Sequence, residues 1–594
     1  MSPGQLLATT GIVTMVLVAG HRAGGAPAAM ISDAGSGAGG AATAPLAPGS
    51  KAAVSARLLR LNQSGQFLFG EENATLWGMY RNGALVSTGP WFDATARLGQ
   101  FTADSEALVG DQPAVLGVSL GMLALEPVEW NRRAVIARAI RHHLDAGGLV
   151  TMDWHAPSCN ASTSPGKPLA TVKVDGRELV IQSVLGGTSF YAEDEYRHAI
   201  TSRADVPETL KCLCQIANDQ PLTAGAYQGI TGKTWLAAHA KHTAQVLRDQ
   251  GLGGAPIIVR PFHEQTGPWF WWGQAYWNCA ALLGKPEAMS GPEAYKEMSR
   301  TFITALRSEP GMQNLLFAFS PDRLLGPREK ESFSRVQDKL MDPTGYARDR
   351  LREQLLKELG AAGLAWASPI QARATMRASQ TTSSKRADEY VAQRRPFYAE
   401  SYAGDDSFDL LGIDLYHPAA RPANATDLRL FGLQLRVVAE EARARGKPYA
   451  LTEAGTYRLH LAELARRAKA GQPLIINGKK TVDDALAMLH DAAAQKALLR
   501  HFGLTTSGPV TLDDAERAAV LPRTAEDWYG KQLLALAKQA KVAYALVWQT
   551  YYDVSATERY AYYYVPYPGH PDAPSFQRFY DDPATCFLRD GCGL

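Results

Sequence analysis

The sequence lacks an apolar stretch long enough to cross a membrane, and it lacks an excess of charge of either sign. Its only N-terminal apolar run, Leu6 to Ala19, is shorter than the ~20 residues that a membrane-spanning helix needs. The 61 Lys and Arg residues nearly balance the 59 Asp and Glu residues, for a net charge of +2. That balance argues against nucleic acid or an anionic membrane as a partner. We expect no membrane span in the mature chain.

The first 55 residues carry little that could form a core. The apolar run fits a signal peptide over residues 1–28, with Ala26-Pro27-Ala28 as a small-residue cleavage site, although no Lys or Arg precedes it. An uncleaved anchor or a cytosolic protein is the alternative. Residues 29–55 are rich in Gly, Ala, Ser and Pro and are predicted to be a flexible linker. We expect a secreted or periplasmic protein whose catalytic domain spans residues 56–594.

Cysteines are few, and their spacing excludes the common zinc motifs. The chain has six, an even number that suits an oxidising compartment, and their pairing is left open apart from a possible staple between Cys586 and Cys592. Cys212 and Cys214 are too close for a zinc ligand pair. Gly267 stands where an H-E-x-x-H motif beginning at His263 would need its second histidine. We therefore predict neither a metal nor a cofactor.

Short apolar runs alternate with amphipathic segments along the rest of the chain. Such runs predict eight strands, at 67–70, 113–118, 149–152, 257–259, 314–319, 409–414, 448–453 and 542–548. The fold class is therefore α/β, and the architecture a (β/α)8 TIM barrel with long insertions after strands 5 and 7, at 326–395 and 459–523. Catalytic groups of such barrels lie at the C-terminal ends of the strands. Polar or aromatic residues end six of the predicted strands: His155, Glu264, Asp322, Asp414 with Tyr416, Glu453 and Trp548.

The segment from Ile257 to Gly273 combines several side chains that are typical of an active site. A histidine, a carboxylic acid and four aromatic rings follow its apolar strand. Poor solvation among indole rings would raise the pKa of Glu264 and suit it to donate a proton. The four rings are consecutive, at positions 269–272, and neighbours in a strand point to opposite sides, so some should line a cleft where sugars stack. The alternative is that all four are core residues.

The segment Arg260–Gly273, RPFHEQTGPWFWWG, resembles the signature of glycoside hydrolase family 26. Three further segments are similar to that family: NLLFAFSPD at 314–322, the stretch from Gly404 to Tyr416, and YYYVPYPGH at 562–570. The family comprises retaining (β/α)8 endo-β-mannanases. The resemblance implies that Glu264 is the acid/base and that Glu453, in Leu451-Thr452-Glu453-Ala454-Gly455, is the nucleophile.

The resemblance also implies a substrate-binding set. Trp269 and Trp548 would frame the sugar, His155 and His263 would contact hydroxyl groups or position the acid, and Tyr416 would donate a hydrogen bond to Glu453. Asp414 completes the predicted set. Gln549 and Thr550 depart from the Arg-Asn of many family members.

The expected activity is the cleavage of internal β-1,4-mannosidic bonds in mannan, galactomannan or glucomannan by double displacement. The same mechanism on a mixed-linkage glucan or a β-1,3-xylan is one alternative. A barrel that binds carbohydrate without hydrolysing it is another. The expected partner is a polysaccharide, bound by a monomer.

Overall fold

The computed structural model describes residues 49–78, 80–81, 84–85, 91–92, 102–125, 132–160, 168–182, 208–223, 225–267, 270–322, 324, 384–417, 425–456, 527–549, 551–552, 561–562 and 564–590. They belong to one unit, Leu46–Leu594. Within these ranges, no helix is both long and apolar enough to span a membrane.

Eight parallel strands form a closed barrel. They follow one another around it in chain order, and the last pairs with the first. We number them β1 to β8: Phe67–Glu72, Val115–Ser119, Leu149–Trp154, Ile258–Pro261, Leu316–Phe319, Leu410–His417, Tyr449–Thr456 and Tyr544–Val547. The predicted TIM barrel is therefore confirmed, because each strand overlaps the apolar run that predicted it.

The described residues include further short strands besides these eight. Thr585–Cys586 adds in parallel to the start of β1. Four antiparallel pairs join Trp77–Gly78 with Trp91–Phe92, Tyr80–Arg81 with Ala84–Leu85, Pro168–Val174 with Arg177–Gln182, and Tyr551–Tyr552 with Ala561–Tyr562.

Helices surround the barrel. The described α-helices are Lys51–Ser64, Asp104–Val109, Leu120–Ala124, Arg132–Asp145, Cys212–Ala217, Gly232–Asp249, Cys279–Leu283, Pro292–Ser308, Ser384–Glu400, Ala425–Ala444, Leu534–Ala540 and Ala573–Asp581. Short 3-10 helices span Glu208–Lys211, Gly225–Tyr227 and Gln274–Tyr276, and a π-helical turn spans Trp528–Leu533. Of the insertion after β5 only the helix that begins at Ser384 is described, and the insertion after β7 lies outside the described residues.

The first helix closes the N-terminal end of the barrel. Its buried face, Val54, Leu58 and Leu61, belongs to the apolar cluster that fills the barrel interior. The Ser50 side chain accepts a hydrogen bond from the N–H of Ala53 and caps the helix. The linker predicted over residues 29–55 is therefore wrong for 51–55, because the burial of Val54 outweighs a composition that resembles a linker.

Disulfides brace the loops beyond β3. Cys159 is bonded to Cys212, and Cys214 to Cys279. Cys586 is also disulfide-bonded, while Cys592, its predicted partner, lies outside the described residues. Cys212 and Cys214 thus join the helix Cys212–Ala217 to the loop after β3 and to the helix Cys279–Leu283.

Candidate active site

Glu264 lies in a strained turn that directly follows β4. Phe262 and Glu264 both have positive φ angles, 52° and 55°, a region that residues other than glycine seldom occupy. The backbone N–H of Glu264 donates to the carbonyl oxygen of Ser320, at 2.7 Å, which ties the turn to the end of β5. The surrounding structure thus maintains this strained backbone at the barrel mouth, as is common at functional sites.

Glu453 lies near the end of β7 and is buried, with a donor at each carboxylate oxygen. Arg260 Nη2 donates to Oε1, and the hydroxyl of Tyr416 donates to Oε2 at 2.8 Å. The guanidinium and the phenol come from two other strands, β4 and β6. The carboxylate is therefore fixed in rotation and compensated in charge.

A break in strand regularity helps to place Glu453. The pairing of β6 with β7 shifts in register next to Asp414, and the pairing of β7 with β8 shifts between Leu451 and Ala454. Neighbouring side chains of a regular strand point to opposite faces. Here Thr452 and Glu453 both contact groups inside the barrel, and an irregular strand allows that arrangement.

Asp414 lies below the barrel mouth and pairs with Arg260. It has no exposed surface and accepts bonds from Arg260 Nη1 at 3.2 and 3.3 Å, from Ser320 at 2.8 Å and from Thr452 at 2.7 Å. Burial and the nearby Glu453 raise the pKa of Asp414, whereas Arg260 opposes that rise. Arg260 thus bridges two buried acids, a charged arrangement that a bidentate guanidinium suits.

The two glutamates approach each other across the mouth. Carboxylate oxygens of Glu264, Asp414 and Glu453 all lie within 4.8 Å of one another. Glycoside hydrolases that invert configuration need about 6.5–9.5 Å between their two carboxyl groups, while retaining enzymes have about 5–5.5 Å. An oxygen–oxygen separation of no more than 4.8 Å between Glu264 and Glu453 is closer to the retaining range than to the inverting one.

The polar neighbours of Glu453 are held in defined protonation states. Burial, Glu453 and Glu264 raise the pKa of Tyr416 well above its usual range, so the phenol remains a donor. Burial and the neighbours His155 and Arg260 lower the pKa of His263 well below its usual range. His263 is therefore a neutral imidazole, with Nε2 4.0 Å from Glu453 Oε1.

Aromatic rings form the wall behind the histidines. The ring centroid of His155 lies 4.8 Å from that of His263, 5.3 Å from Phe270 and 6.3 Å from Trp548. His155, Tyr416 and Trp548 are partly exposed. These three can meet a ligand directly.

The prediction that some of the four consecutive rings line a cleft is not supported for three of them. Phe270, Trp271 and Trp272 are buried, and the two indoles donate to backbone carbonyl oxygens of Ala156 and His263. The turn after β4 folds back on itself, so successive side chains need not alternate between two faces. Trp269 lies outside the described residues.

Three buried charged groups of this site were missed from the sequence: Arg260, Asp153 and Glu72. Each is a charged residue at or near the end of an otherwise apolar strand, and each is fully buried. A charged residue at the end of an apolar strand could have identified them from the sequence, because a buried charge requires partners. Asp322, predicted to join the site, lies in the loop after β5, where its N–H donates to Thr266 of the Glu264 loop at 3.1 Å.

Two groups of side chains have the chemistry of metal ligands. Asp153, His155 and His263 lie as close together as the three acids described above. However, His155 Nδ1 already contacts Asp153, and Arg260 already supplies positive charge between Asp414 and Glu453. A metal ion at either group would have to displace these contacts.

Sequence comparison gives a family match. Residues 214–331 match the family model described as "Glycosyl hydrolase family 26". A mannan endo-1,4-β-mannosidase of Bifidobacterium adolescentis is 31% identical over 126 residues, which is 21% of this chain and 11% of that protein. A mannan endo-1,4-β-mannosidase of Bacillus subtilis is 30% identical over 107 residues, 18% of this chain and 27% of that protein. The matches thus span no more than about a quarter of these relatives.

Solved structures of similar architecture include two enzymes described as β-mannanases. One, from Bacteroides ovatus, is described as a family 26 β-mannanase; it covers 90% of this chain and 95% of its own, at 17% identity and a TM-score of 0.45. An endo-β-1,4-mannanase double mutant of Cellulomonas fimi covers 92% and 78%, at 20% identity and a TM-score of 0.48.

Proposed function

We propose that this chain, whose residues 214–331 match the model of glycosyl hydrolase family 26, cleaves internal β-1,4-mannosidic bonds in mannan, galactomannan or glucomannan with retention of configuration. The observation that carries this proposal is the pair of glutamates, whose carboxylate oxygens lie within 4.8 Å. Two carboxyl groups so close have no room for a water between them and the sugar. The attacking group is then a carboxylate.

We assign Glu453 as the nucleophile. Its two donors, Arg260 and Tyr416, bind both carboxylate oxygens and fix their orientation toward the barrel mouth. It attacks the anomeric carbon, and the bond to the departing sugar oxygen breaks, which leaves a glycosyl-enzyme ester. After this step the Glu453 side chain is an uncharged ester, and Tyr416 and Arg260 remain its neighbours.

Glu264 is assigned as the acid/base. It gives its proton to the departing oxygen in the first step and takes one from the water that attacks the ester in the second. The tether from its N–H to Ser320 supports this role, because the same carboxyl must serve two steps from one position. Release of the sugar returns Glu453 to its carboxylate form.

The remaining site residues fall into two groups, one partly exposed and the other buried. We assign sugar contacts to His155, Tyr416 and Trp548, which are partly exposed, and to Trp269 from the family resemblance. Asp414 and His263 are buried, so we assign them to the positioning of Arg260 and of the acid-bearing turn. For His263 this is the second of the two roles that the family resemblance implies, and for Asp414 it replaces direct substrate binding in our proposal.

We also propose that the protein is exported and acts as a monomer on polysaccharide. Disulfides between Cys159 and Cys212 and between Cys214 and Cys279 support an oxidising compartment, since such bonds seldom persist in a reducing cytosol. Residues 1–28 are then a signal peptide and residues 29–50 a linker.

The experiment that tests the activity measures reducing-sugar release from linear mannan, lichenan and β-1,3-xylan. The wild type should act on mannan, and Glu264→Ala and Glu453→Ala should each abolish turnover. Added azide should rescue Glu453→Ala and give a glycosyl azide of inverted configuration, because azide replaces the missing nucleophile.

Other results of this experiment have distinct meanings. Preferred cleavage of lichenan or β-1,3-xylan would change the substrate and keep the mechanism. Binding of a glycan without any cleavage by the wild type would make the barrel a binding scaffold. Persistent turnover by either alanine variant would refute its assigned role.

A further inference from the structure

Glu72 is a buried acid that the proposed reaction does not use. It ends β1 with no exposed surface, and its side chain points into the barrel. The carboxyl group occupies the space beside Gly117 of β2, where an added Cβ atom would overlap Oε2 of Glu72. A glycine at position 117 is thus required for Glu72 to reach past β2.

The group that Glu72 reaches is Asp153 of β3, with which it shares a hydrogen bond. Two carboxyl groups can form such a bond only when one of them carries a proton. Asp153 is also fully buried. Among the described residues, no N–H or hydroxyl group donates to either oxygen of Glu72. The same holds for Asp153, except that its Oδ2 lies against Nδ1 of His155. We therefore place the proton of this pair on Glu72, which has no such neighbour among the described contacts.

The surrounding charges agree with that placement. Burial and the charges of Asp153 and Glu453 raise the pKa of Glu72 well above its usual range, whereas Arg260 opposes the rise. The Nη1 and Nη2 groups of Arg260 donate to Asp414, Ser320 and Glu453, and none of its donors is bonded to Glu72. A neutral Glu72 is thus the state that this neighbourhood favours.

Asp153 in turn contacts a residue of the site wall. Its Oδ2 lies against Nδ1 of His155, two residues further along the chain. An ionised Asp153 requires a proton on Nδ1 and so leaves Nε2 as an acceptor. His155 is partly exposed and packs beside His263 and Trp548, so the state of its ring affects what the site can bind.

We propose that Glu72 is a positioning residue which donates a hydrogen bond to Asp153 and so fixes His155 in its Nδ1–H tautomer, ready to accept a hydrogen bond from a ligand hydroxyl. Glu72, Asp153 and His155 form a relay that runs from β1 across Gly117 to the rim of β3. That the hydroxyl belongs to a sugar rests on the proposed function, whereas the tautomer does not.

The test compares two substitutions of Glu72 of similar length. Glu72→Gln keeps a neutral donor toward Asp153, and Glu72→Met removes it. Nitrogen-15 spectra of histidine-labelled protein, with the His155 signals assigned through His155→Gln, should show the Nδ1–H tautomer in the wild type and in Glu72→Gln. In Glu72→Met we expect a mixture of tautomers or the Nε2–H form.

Kinetics on mannan give a second readout. The value of kcat/KM should fall about 10-fold or more in Glu72→Met and stay close to wild type in Glu72→Gln, since hydrogen bonds to charged groups contribute this much. Glu71→Gln, on the opposite face of β1, is the matched control and should leave the His155 signals unchanged. If Glu72→Met does not fold, Gly117→Ala displaces the same carboxyl group and should have the same effects.

The relay is refuted if folded Glu72→Met or Gly117→Ala keeps the wild-type tautomer of His155. It is also refuted if Glu72→Gln disturbs His155 as strongly as Glu72→Met does, because the donor would then not matter. The spectra need no substrate. An inactive wild type with a tautomer that depends on Glu72 would therefore refute the hydrolase and keep the relay.

Discussion

The two ends of the barrel interior are made from the same strands and differ in almost every physical property. At the N-terminal end β4 contributes Ile258 and β6 contributes Leu410, both within the buried apolar cluster. Two to four residues further along, the same strands contribute Arg260 and Asp414, which are equally buried and charged. One end maximises the burial of apolar surface, and the other holds charged groups that have no exposed surface.

This difference explains why stability and activity can be separated in such a barrel. Apolar side chains at the lower end stabilise the fold through burial alone. The charged groups at the upper end have to be desolvated, and each requires a partner. Substitutions at the two ends of one strand should therefore have different effects, in the following order of size.

The largest effect is expected from Arg260→Met. It removes the cation shared by Asp414 and Glu453 and leaves both acids buried without compensation. Loss of one partner of a buried ion pair costs about 3–5 kcal/mol, so the unfolding free energy should fall by that order and turnover should be lost. Denaturant unfolding and mannan hydrolysis measure the two effects.

A surface ion pair provides the control for Arg260→Met. Lys233 and Glu297 pair on the protein surface, where the Lys233 side chain is 38% exposed. Lys233→Met should change the unfolding free energy by less than about 1 kcal/mol. Equal losses from both variants would mean that burial of the Arg260 pairs is irrelevant, against the comparison drawn above.

Leu410→Ala tests the apolar end of β6. The substitution opens a cavity among the buried residues that fill the lower barrel. We expect a loss of about 2–5 kcal/mol in unfolding free energy, with kcat near the wild-type value at temperatures where the variant is folded. A kcat that fell as much as stability would contradict the separation of the two ends.

Two acids outside the barrel interior should contribute to the pH dependence of stability. Burial and Asp104 raise the pKa of Glu71 to about 8, and burial and Asp527 raise the pKa of Asp572 to about 8. Both acids are protonated in the folded protein at pH values where the unfolded chain is ionised. Their contribution is complete below about pH 4 and is lost as the pH rises to about 8.

Glu71→Gln should therefore reduce the fall of unfolding free energy between about pH 5 and pH 8, by on the order of 3 kcal/mol. Glutamine keeps an oxygen that can accept the bond from Ser105. Glu293→Gln, at an acid whose side chain is 60% exposed, is the control and should leave the pH profile unchanged. An unaltered slope in Glu71→Gln would mean that Glu71 is ionised in the folded protein.

The smallest effect is expected from Tyr416→Phe, at the upper end of the strand that carries Leu410. It removes one donor to Glu453 and leaves the ring in place. A hydrogen bond to a charged group contributes about 1.5–3 kcal/mol, so kcat should fall by about 10–150-fold while Tm changes little. Unchanged kcat would indicate that the hydrogen bond from Tyr416 does not contribute to the reaction.

Much of the fold could be predicted from the sequence because parallel strands buried on both faces are short apolar runs. All eight strands were found in this way, and the motifs in which Glu264 and Glu453 stand predicted that these two acids form the catalytic pair. The boundary at residue 51 was missed because the sequence around Ala52 and Ala53 resembles a linker, and only the buried contacts of Val54 distinguish it from one.

The partners of the two glutamates were harder to predict. Tyr416 was anticipated through the family resemblance, whereas Arg260 was not, although it lies in the same motif as Glu264. Strand periodicity also places Thr452 and Glu453 on opposite faces, and an irregular strand overrides that rule. Pairings between residues about 190 positions apart leave no local signal in a single sequence.

By itself the sequence determined which residues are apolar, where the strands lie, and which acids stand at their ends. These properties are local, because they depend on composition and spacing over a few residues. Only the tertiary structure decided the protonation and pairing of those acids. Arg260 compensates Asp414 and Glu453, Gly117 makes room for Glu72, and Asp153 contacts His155, all through distances that exist only when the barrel closes.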